Sequence, residues 1–397
     1  MKLLPQVEPR LRLLMVAMLG SFVLFGLNLA VTGAVVPRIV REFRWSYTAT
    51  GVVLCAGSAG YLISTFLCGV LIRHLGPRWV IAGGLGLQAL GTSLFGCTPG
   101  VAANVAFKLL MGAGAGGTEV VVNYVICRVE RTGQSRLMNL THAAFAVGAI
   151  LSPLAVEGLL AAGSTWQMMF RLMAAAGVAM GLTMAVLPFG RLDDGPDAPA
   201  AADHPSVLSL LRQPLLILCF GILAVYVGAE IGVSAWVAEY YVTVLKTPVR
   251  VGSMMVSVFW VGLLAGRLGV SVVYHGTRLA ELMVALAALA TAALIAALAG
   301  GSPWAAGVGF FLAGVGYSAI YPLVMSLVGR HFERGQSVAV GFAGAGGAAG
   351  ALAIPFIMAA VSDRFGIGRG FLFYVAMNVL MLGLAVAVIP LVRRRGR

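Results

Sequence analysis

Residues 133–153 read GQSRLMNLTHAAFAVGAILSP, and residues 335–355 read GQSVAVGFAGAGGAAGALAIP. Gly133, Gln134 and Ser135 meet Gly335, Gln336 and Ser337; Gly148 and Ala149 meet Gly350 and Ala351; Pro153 meets Pro355. Working outward toward the N-terminus, and allowing a two-residue insertion, the correspondence continues at an offset of 200: Gly69, Gly76 and Arg78 meet Gly269, Gly276 and Arg278, and Gly114 and Gly116 meet Gly314 and Gly316. With 52 glycines in the chain, isolated glycine matches carry little weight. Ordered matches that include Arg, Gln, Ser and Pro, at close to half of 397 residues, identify the halves as copies of one another.

What is copied follows from composition. The chain is 60% hydrophobic and 10% charged, with a mean hydropathy of +0.96, whereas a soluble chain carries roughly a quarter charged residues. A soluble enzyme, a secreted disulfide scaffold and a disordered segment are all excluded. Apolar runs of at least 18 residues mark twelve spans: 12–38, 48–72, 77–98, 101–127, 137–162, 167–189, 214–244, 250–275, 279–300, 303–329, 336–361 and 370–392. The first run is too long for the apolar core of a cleavable signal peptide. The longest break, 190–213, holds Asp193, Asp194, Asp197 and Asp203. The expected organisation is therefore a six-helix bundle over 1–190, a linker over 191–213 and a second bundle over 214–397, an all-α membrane protein with pseudo-symmetric halves.

The net charge of +13 is an orientation signal. Of the 27 Lys and Arg residues, 17 fall before the first span, at 73–78, 128–136, 278 and 330–334, in the linker and after the last span; eight fall on the opposite loops. Cytoplasmic loops retain Lys and Arg, so both termini and the linker are expected in the cytoplasm. The cations sit singly between apolar runs rather than on a solvated basic face, which argues against nucleic acid as a partner. Cys55, Cys68, Cys97, Cys127 and Cys219 lie in or beside apolar runs without metal-ligand spacing, so no disulfide framework, metal site or cofactor is expected.

Six spans repeated without inversion form a parallel repeat, an architecture that places a cavity at mid-membrane and moves one half against the other. Gly112, Gly114, Gly116 and Gly148 suit close helix contact. Pro153 and Pro355 each remove a backbone donor in mid-helix and permit a bend.

Ionisable groups inside a bilayer are expensive, which makes each a functional candidate. No aspartate lies inside any expected span, and this argues against an intramembrane aspartyl hydrolase. Glu157, Glu239 and Glu281 lie near span ends, within reach of water or headgroups. Glu119 and Glu230 are deep, about 25 Å from the entering ends of the fourth and seventh spans by helical rise. A desolvated carboxyl group favours its neutral form, the property a proton carrier needs, so both are assigned to proton coupling. The rival reading of each is a structural acid, hydrogen-bonded or ion-paired, with Lys108 or Arg267 as the candidate partner. Asn123 follows Glu119 by four residues and Tyr226 precedes Glu230 by four, so each pair shares a helix face. Asn139 and His142 share a face at the start of the fifth span, and His142 can donate, accept and titrate. Tyr226, Trp236, Tyr317 and Tyr321 offer aromatic faces with polar edges, suited to the C–H faces and hydroxyl rim of a sugar. With Asn28 in the first span, these residues make up the expected solute-binding set.

These residues resemble the major facilitator superfamily and, within it, the fucose–proton symporter family. The resemblance rests on Gly116-Gly117-Thr118-Glu119 with Asn123; on Asn139-Leu140-Thr141-His142 with Phe145 and Gly148-Ala149; on Tyr226-Val227-Gly228 with Trp236; and on Gly266-Arg267, Tyr321-Pro322 and Val361-Ser362-Asp363. It implies symport of a sugar with a proton by alternating access, with Glu119 as the protonated acid and Asn123, Asn139 and His142 facing the solute. Two departures stand out. Gly33, four residues before Pro37, occupies a position where relatives carry an acid. The superfamily's loop after the second helix is reduced here to Gly69, Arg73, Gly76 and Arg78, without its Asp. Those four residues and Arg267 are the expected gating set. The resulting expectation is a monomeric, non-enzymatic transporter of the bacterial inner membrane, whose partners are a small polar solute, protons and lipid. The rival is proton-driven efflux of a lipophilic compound, since Gly148 to Pro153 partly resembles an antiporter motif and the helices are greasy.

Overall fold

A computed structural model describes residues 9–129, 136–190, 212–274, 278–332 and 336–395. Among the described residues twelve α-helices account for the secondary structure: α1 Pro9–Phe43, α2 Tyr47–Leu94, α3 Val101–Val129, α4 Arg136–Ala161, α5 Trp166–Val186, α6 Pro214–Thr243, α7 Val249–Val273, α8 Leu279–Ala299, α9 Pro303–Tyr317, α10 Ile320–His331, α11 Gln336–Phe365 and α12 Ile367–Arg395. Most of the expected linker, residues 191–211, lies outside the described residues, as do Gly133-Gln134-Ser135, Gly276 and Gly335 of the internal repeat.

Among the described residues eleven helical stretches are long and apolar enough to cross a membrane, and one of them is α2 with 48 residues. At 1.5 Å per residue α2 would be about 72 Å long, more than twice a bilayer core of about 30 Å. Gly76, at φ 76° and ψ 156°, interrupts it, a conformation open to a residue without a Cβ. The chain turns back there. Gly57 and Gly60 lie against Lys108 and Leu109 of α3, and Gly84 and Gly91 lie against Gly114 and Phe107, so the first half of α2 runs parallel to α3 and the second half antiparallel to it. Two spans therefore occupy α2 and one is shared by α9 and α10, making twelve among the described residues. Large apolar side chains such as Val186, Val273 and Trp304 are exposed, as lipid-facing surfaces require.

The chain divides into two compact units. The first comprises residues 1–35 and 52–198, and the second residues 36–51 and 199–397. Each holds six spans. Their internal packing repeats contact by contact. Gly112 leaves no room for a Cβ against the Gly57 carbonyl, and Gly314 leaves none against Phe259; Gly60 meets Leu109 as Gly262 meets Phe311; Gly114 meets Gln88 as Gly316 meets Ala290. Every one of these pairs is related by an offset of 202. This corrects the sequence alignment, which set Gly114 and Gly116 on Gly314 and Gly316. Glycine recurs every second residue in both stretches, so a two-residue slip still matches glycine to glycine, whereas backbone contact admits one register. In the second unit α6 packs along α11, where Gly346 and Gly350 approach Phe220 and Ala224.

The expected spans agree with the helices within a few residues except at α1, which continues to Phe43 instead of ending near 38. Arg41 Nη1 donates to the Pro37 carbonyl at 2.6 Å within this extension. A hydropathy rule ends a span where charge begins, but the helix continues because its last turns pack within the second unit.

Candidate functional site

In the first unit Glu119 stands near the middle of α3, half-buried. Its Oε2 accepts a hydrogen bond of 2.7 Å from the hydroxyl of Tyr61, on the first half of α2. The close approach of the helices sets this distance, because Gly116, almost one turn before Glu119, lies against the backbone of Tyr61 and the side chain of Ser64. One turn beyond Glu119, Asn123 keeps a buried Oδ1 with no hydrogen-bond partner. This face therefore presents a carboxyl group beside an unused acceptor, with a phenol as the carboxyl's donor.

Lys108 is not the partner of Glu119. Its Nζ donates to Thr32 Oγ1 at 2.6 Å and lies 5.4 Å from the centre of the Phe95 ring. Eleven residues of helical rise, about 16 Å, separate it from Glu119. Asn28 is 6% exposed and uses its amide inside the unit: Nδ2 donates to the Leu24 carbonyl at 2.9 Å, and Oδ1 accepts from Thr92 at 3.1 Å. His142 packs edge-on against Phe22 with ring centres 5.7 Å apart. The Asn139 side chain lies outside the described residues.

The second unit carries the aromatic part of the expected set. Tyr226 and Tyr317 are buried, and their rings meet edge-to-face at 6.0 Å. The Tyr226 hydroxyl hydrogen-bonds Glu230 one turn away, and the Arg267 charge acts on both groups. The span is broken between Tyr317 and Tyr321: α9 ends, Ala319 takes φ −118° and ψ 3°, and α10 begins. The break releases the Ser318 carbonyl from the helical ladder, and Arg267 Nε donates to it at 3.2 Å. Discontinuous helices of this kind are where transporters bind solute and coupling ions, since backbone polar groups at membrane depth need partners. Trp236 is fully buried, and its indole nitrogen has no hydrogen-bond partner.

The expected gating residues divide. Gly69, Arg73, Gly76 and Arg78 belong to the turn of α2. Arg73 is exposed, Gly76 makes the turn, and Arg78 Nε donates to the Ala185 carbonyl of the same unit at 2.6 Å. Arg267 instead sits beside Tyr226 and Glu230.

Sequence reasoning passed over Tyr61 and Asn378. Asn378 is fully buried on α12, and its Nδ2 donates to the Tyr317 hydroxyl at 2.7 Å and to the Tyr374 carbonyl at 2.8 Å. The signal for both was available, a polar side chain in an apolar span, but attention to formal charge set it aside.

Twelve spans in two copies of six, with carboxyl groups at depth and a broken helix beside one of them, define a polytopic membrane transporter. The model of the Major Facilitator Superfamily matches residues 18–340, and the chain belongs to that superfamily. It is 25% identical over 377 residues to the membrane protein MosC of Rhizobium meliloti, covering 94% of this chain and 90% of that one. It is also 25% identical over 358 residues to an uncharacterized MFS-type transporter of Yersinia pestis, covering 87% and 90%. Among solved structures, a bacterial homolog of the human lysosomal transporter Spinster, inward-facing and occupied, superposes with a TM-score of 0.77 at 13% identity over 96% of this chain and 97% of that one. The nucleoside transporter NupG gives 0.76 at 14% over 95% and 98%. A D-xylose–proton symporter gives 0.67 at 17% over 94% and 96%. At these identities the structures establish the shared fold.

Proposed function

We propose that the chain is a proton-coupled symporter of a small polar, sugar-like solute, working by alternating access, with Glu119 as the proton carrier. The observation that carries this reading is the setting of Glu119. It lies at mid-helix with a tyrosine hydroxyl as its donor, and the lysine of α3 is about three turns away and engaged with Thr32. A carboxyl group held by a neutral donor can lose and regain its proton without breaking an ion pair. The unpaired acceptor of Asn123 and the polar edges of Tyr226, Tyr317, Tyr321 and Trp236 supply hydroxyl-binding groups on either unit. Glu230, coupled to Tyr226 and Arg267, is the second ionisable group of the cycle. The described relatives include a nucleoside transporter and a D-xylose–proton symporter, both handling polyhydroxylated solutes, which supports the solute class. The fucose–proton symporter resemblance points the same way.

The remaining assignments belong to the same reading: two bundles over 1–190 and 214–397 joined by 191–213, a monomer in the bacterial inner membrane, both termini cytoplasmic, and no chemical step catalysed. Proteoliposomes test it. Adding sugars, polyols and nucleosides in turn should acidify the lumen of vesicles bearing the wild-type chain for at least one solute. Glu119→Gln should retain solute exchange while losing uphill uptake. Failure of every solute to move protons, or full coupling in Glu119→Gln, would refute the assignment.

A further inference from the structure

The first unit holds a buried cation that neither the proton carrier nor the expected solute set uses. Lys108 of α3 is 9% exposed, and Thr32 and Phe95, on which its ammonium group rests, are 3% and 2% exposed. Nζ donates to Thr32 Oγ1 at 2.6 Å and stands 5.4 Å from the centre of the Phe95 ring. The aliphatic stem lies against α2 at Gly57, where a Cβ would come within 3.3 Å of Lys108 Cγ and Cε. An ammonium group has three N–H donors, and this one places a single hydrogen bond among the described residues. The Thr32 hydroxyl accepts that bond, and among the described residues its own proton has no acceptor. Unused N–H and O–H donors thus meet at one enclosed point.

No acid neutralises the charge. Described α2 carries no Asp or Glu, and the acids of α1 and α3, Glu42 and Glu119, lie ten residues from Thr32 and eleven from Lys108. Those separations are about 15 Å of helical rise. Glu157 of α4, the remaining described acid of the unit, makes no ion pair with the lysine. A hydroxyl and an aromatic face offset part of the desolvation of a buried ammonium; the rest calls for a negative charge.

We propose that Lys108 Nζ and the Thr32 hydroxyl form an anion site inside the first unit, whose ligand is one compact negative charge. That charge is a free monovalent anion of chloride size or the carboxylate of an acidic solute. A dianion does not fit the chemistry, because its second charge would have no cation. The site lies within one unit and apart from Glu119, so it does not rest on the symport reading.

Thermal unfolding of the full chain in detergent tests it, at constant ionic strength with chloride replacing bulky isethionate. The wild-type midpoint should rise with chloride, by about 3 °C or more between about 1 and 300 mM, as binding to the folded state requires. Lys108→Met keeps the stem and removes the charge; it should lose the chloride dependence and melt no lower than wild type in isethionate. Thr32→Val keeps the shape and the lysine, and should need about fivefold more chloride for the same rise, the scale of one hydrogen bond. Glucuronate in low chloride separates the two sources. If it acts at lower concentration than chloride, the ligand is a carboxylate; if chloride is the stronger, it is a free anion. Glucose, without charge, should leave the midpoint unchanged. A chloride-independent midpoint in folded wild type would overturn the proposal, since the amine would then be held without a ligand. So would an equal chloride dependence in Lys108→Met or, should that variant not fold, an unchanged one in Thr32→Val, because the anion would then act elsewhere.

Discussion

Replacing Gly116 by alanine should separate α2 from α3 where the site depends on their contact, while the same change at Gly117 should not. A Cβ on Gly116 would lie 2.6 Å from the Tyr61 carbonyl oxygen and would overlap Ser64 Oγ; a Cβ on Gly117 would meet Cys68 Sγ at 3.6 Å, an ordinary contact. To restore normal separation α2 must retreat by about 0.4–0.8 Å from the position that gives close helix packing. The Tyr61–Glu119 hydrogen bond, now 2.7 Å, then stretches toward the upper limit of useful geometry, about 3.2 Å. Both variants share the gain in helix propensity from Gly to Ala of about 1 kcal/mol, so that term cancels in the comparison. What remains is the overpacking cost of about 1–3 kcal/mol at Gly116. At roughly 2–4 °C for each kcal/mol in a body of this size, Gly116→Ala should melt several degrees below Gly117→Ala. The measurement is thermal unfolding in detergent, followed by the monodisperse fraction on size exclusion, alongside solute-driven proton uptake. Uptake should fall in Gly116→Ala and persist in Gly117→Ala. Equal melting temperatures together with equal uptake would refute the claim that this helix contact positions Glu119.

A double-mutant cycle on stability between Lys108→Met and Glu119→Gln should show coupling below about 0.5 kcal/mol, because the two side chains share no partner, whereas Tyr61→Phe with Glu119→Gln should exceed it. Asn378→Ala should cost about 1–3 kcal/mol, since it strands the buried Tyr317 hydroxyl; in that background Tyr317→Phe should add little, a result read from the same melting curves. Arg78→Ala should lower stability by about 1 kcal/mol through loss of the Ala185 contact, with the half-exposed guanidinium worth less than a buried one. Limited proteolysis at the α2 turn would check that local effect.

The span list was legible because membrane insertion is decided segment by segment: about 20 apolar residues suffice to cross, and charge or Pro/Gly punctuation marks the ends. Glu119 and Glu230 stood out for the same reason, as costly groups in otherwise apolar runs. The relation between the halves was legible too, though its register was not. Glycines two residues apart permit a slip that the contact between Gly112 and Gly57 forbids. Which group Lys108 meets was not legible, because its partner, Thr32, lies on α1, 76 residues away in the chain.

Architecture, then, came from the sequence alone: composition, span length and internal repetition each act locally or through simple counting, so they fold into the reading without coordinates. Tertiary structure decided what the polar groups do. It gave Glu119 to Tyr61, Lys108 to Thr32 and Tyr317 to Asn378. The physical reason is range. Hydrogen-bond partners must meet within about 3 Å, and which helices bring them that close depends on backbone contacts between residues far apart in the chain.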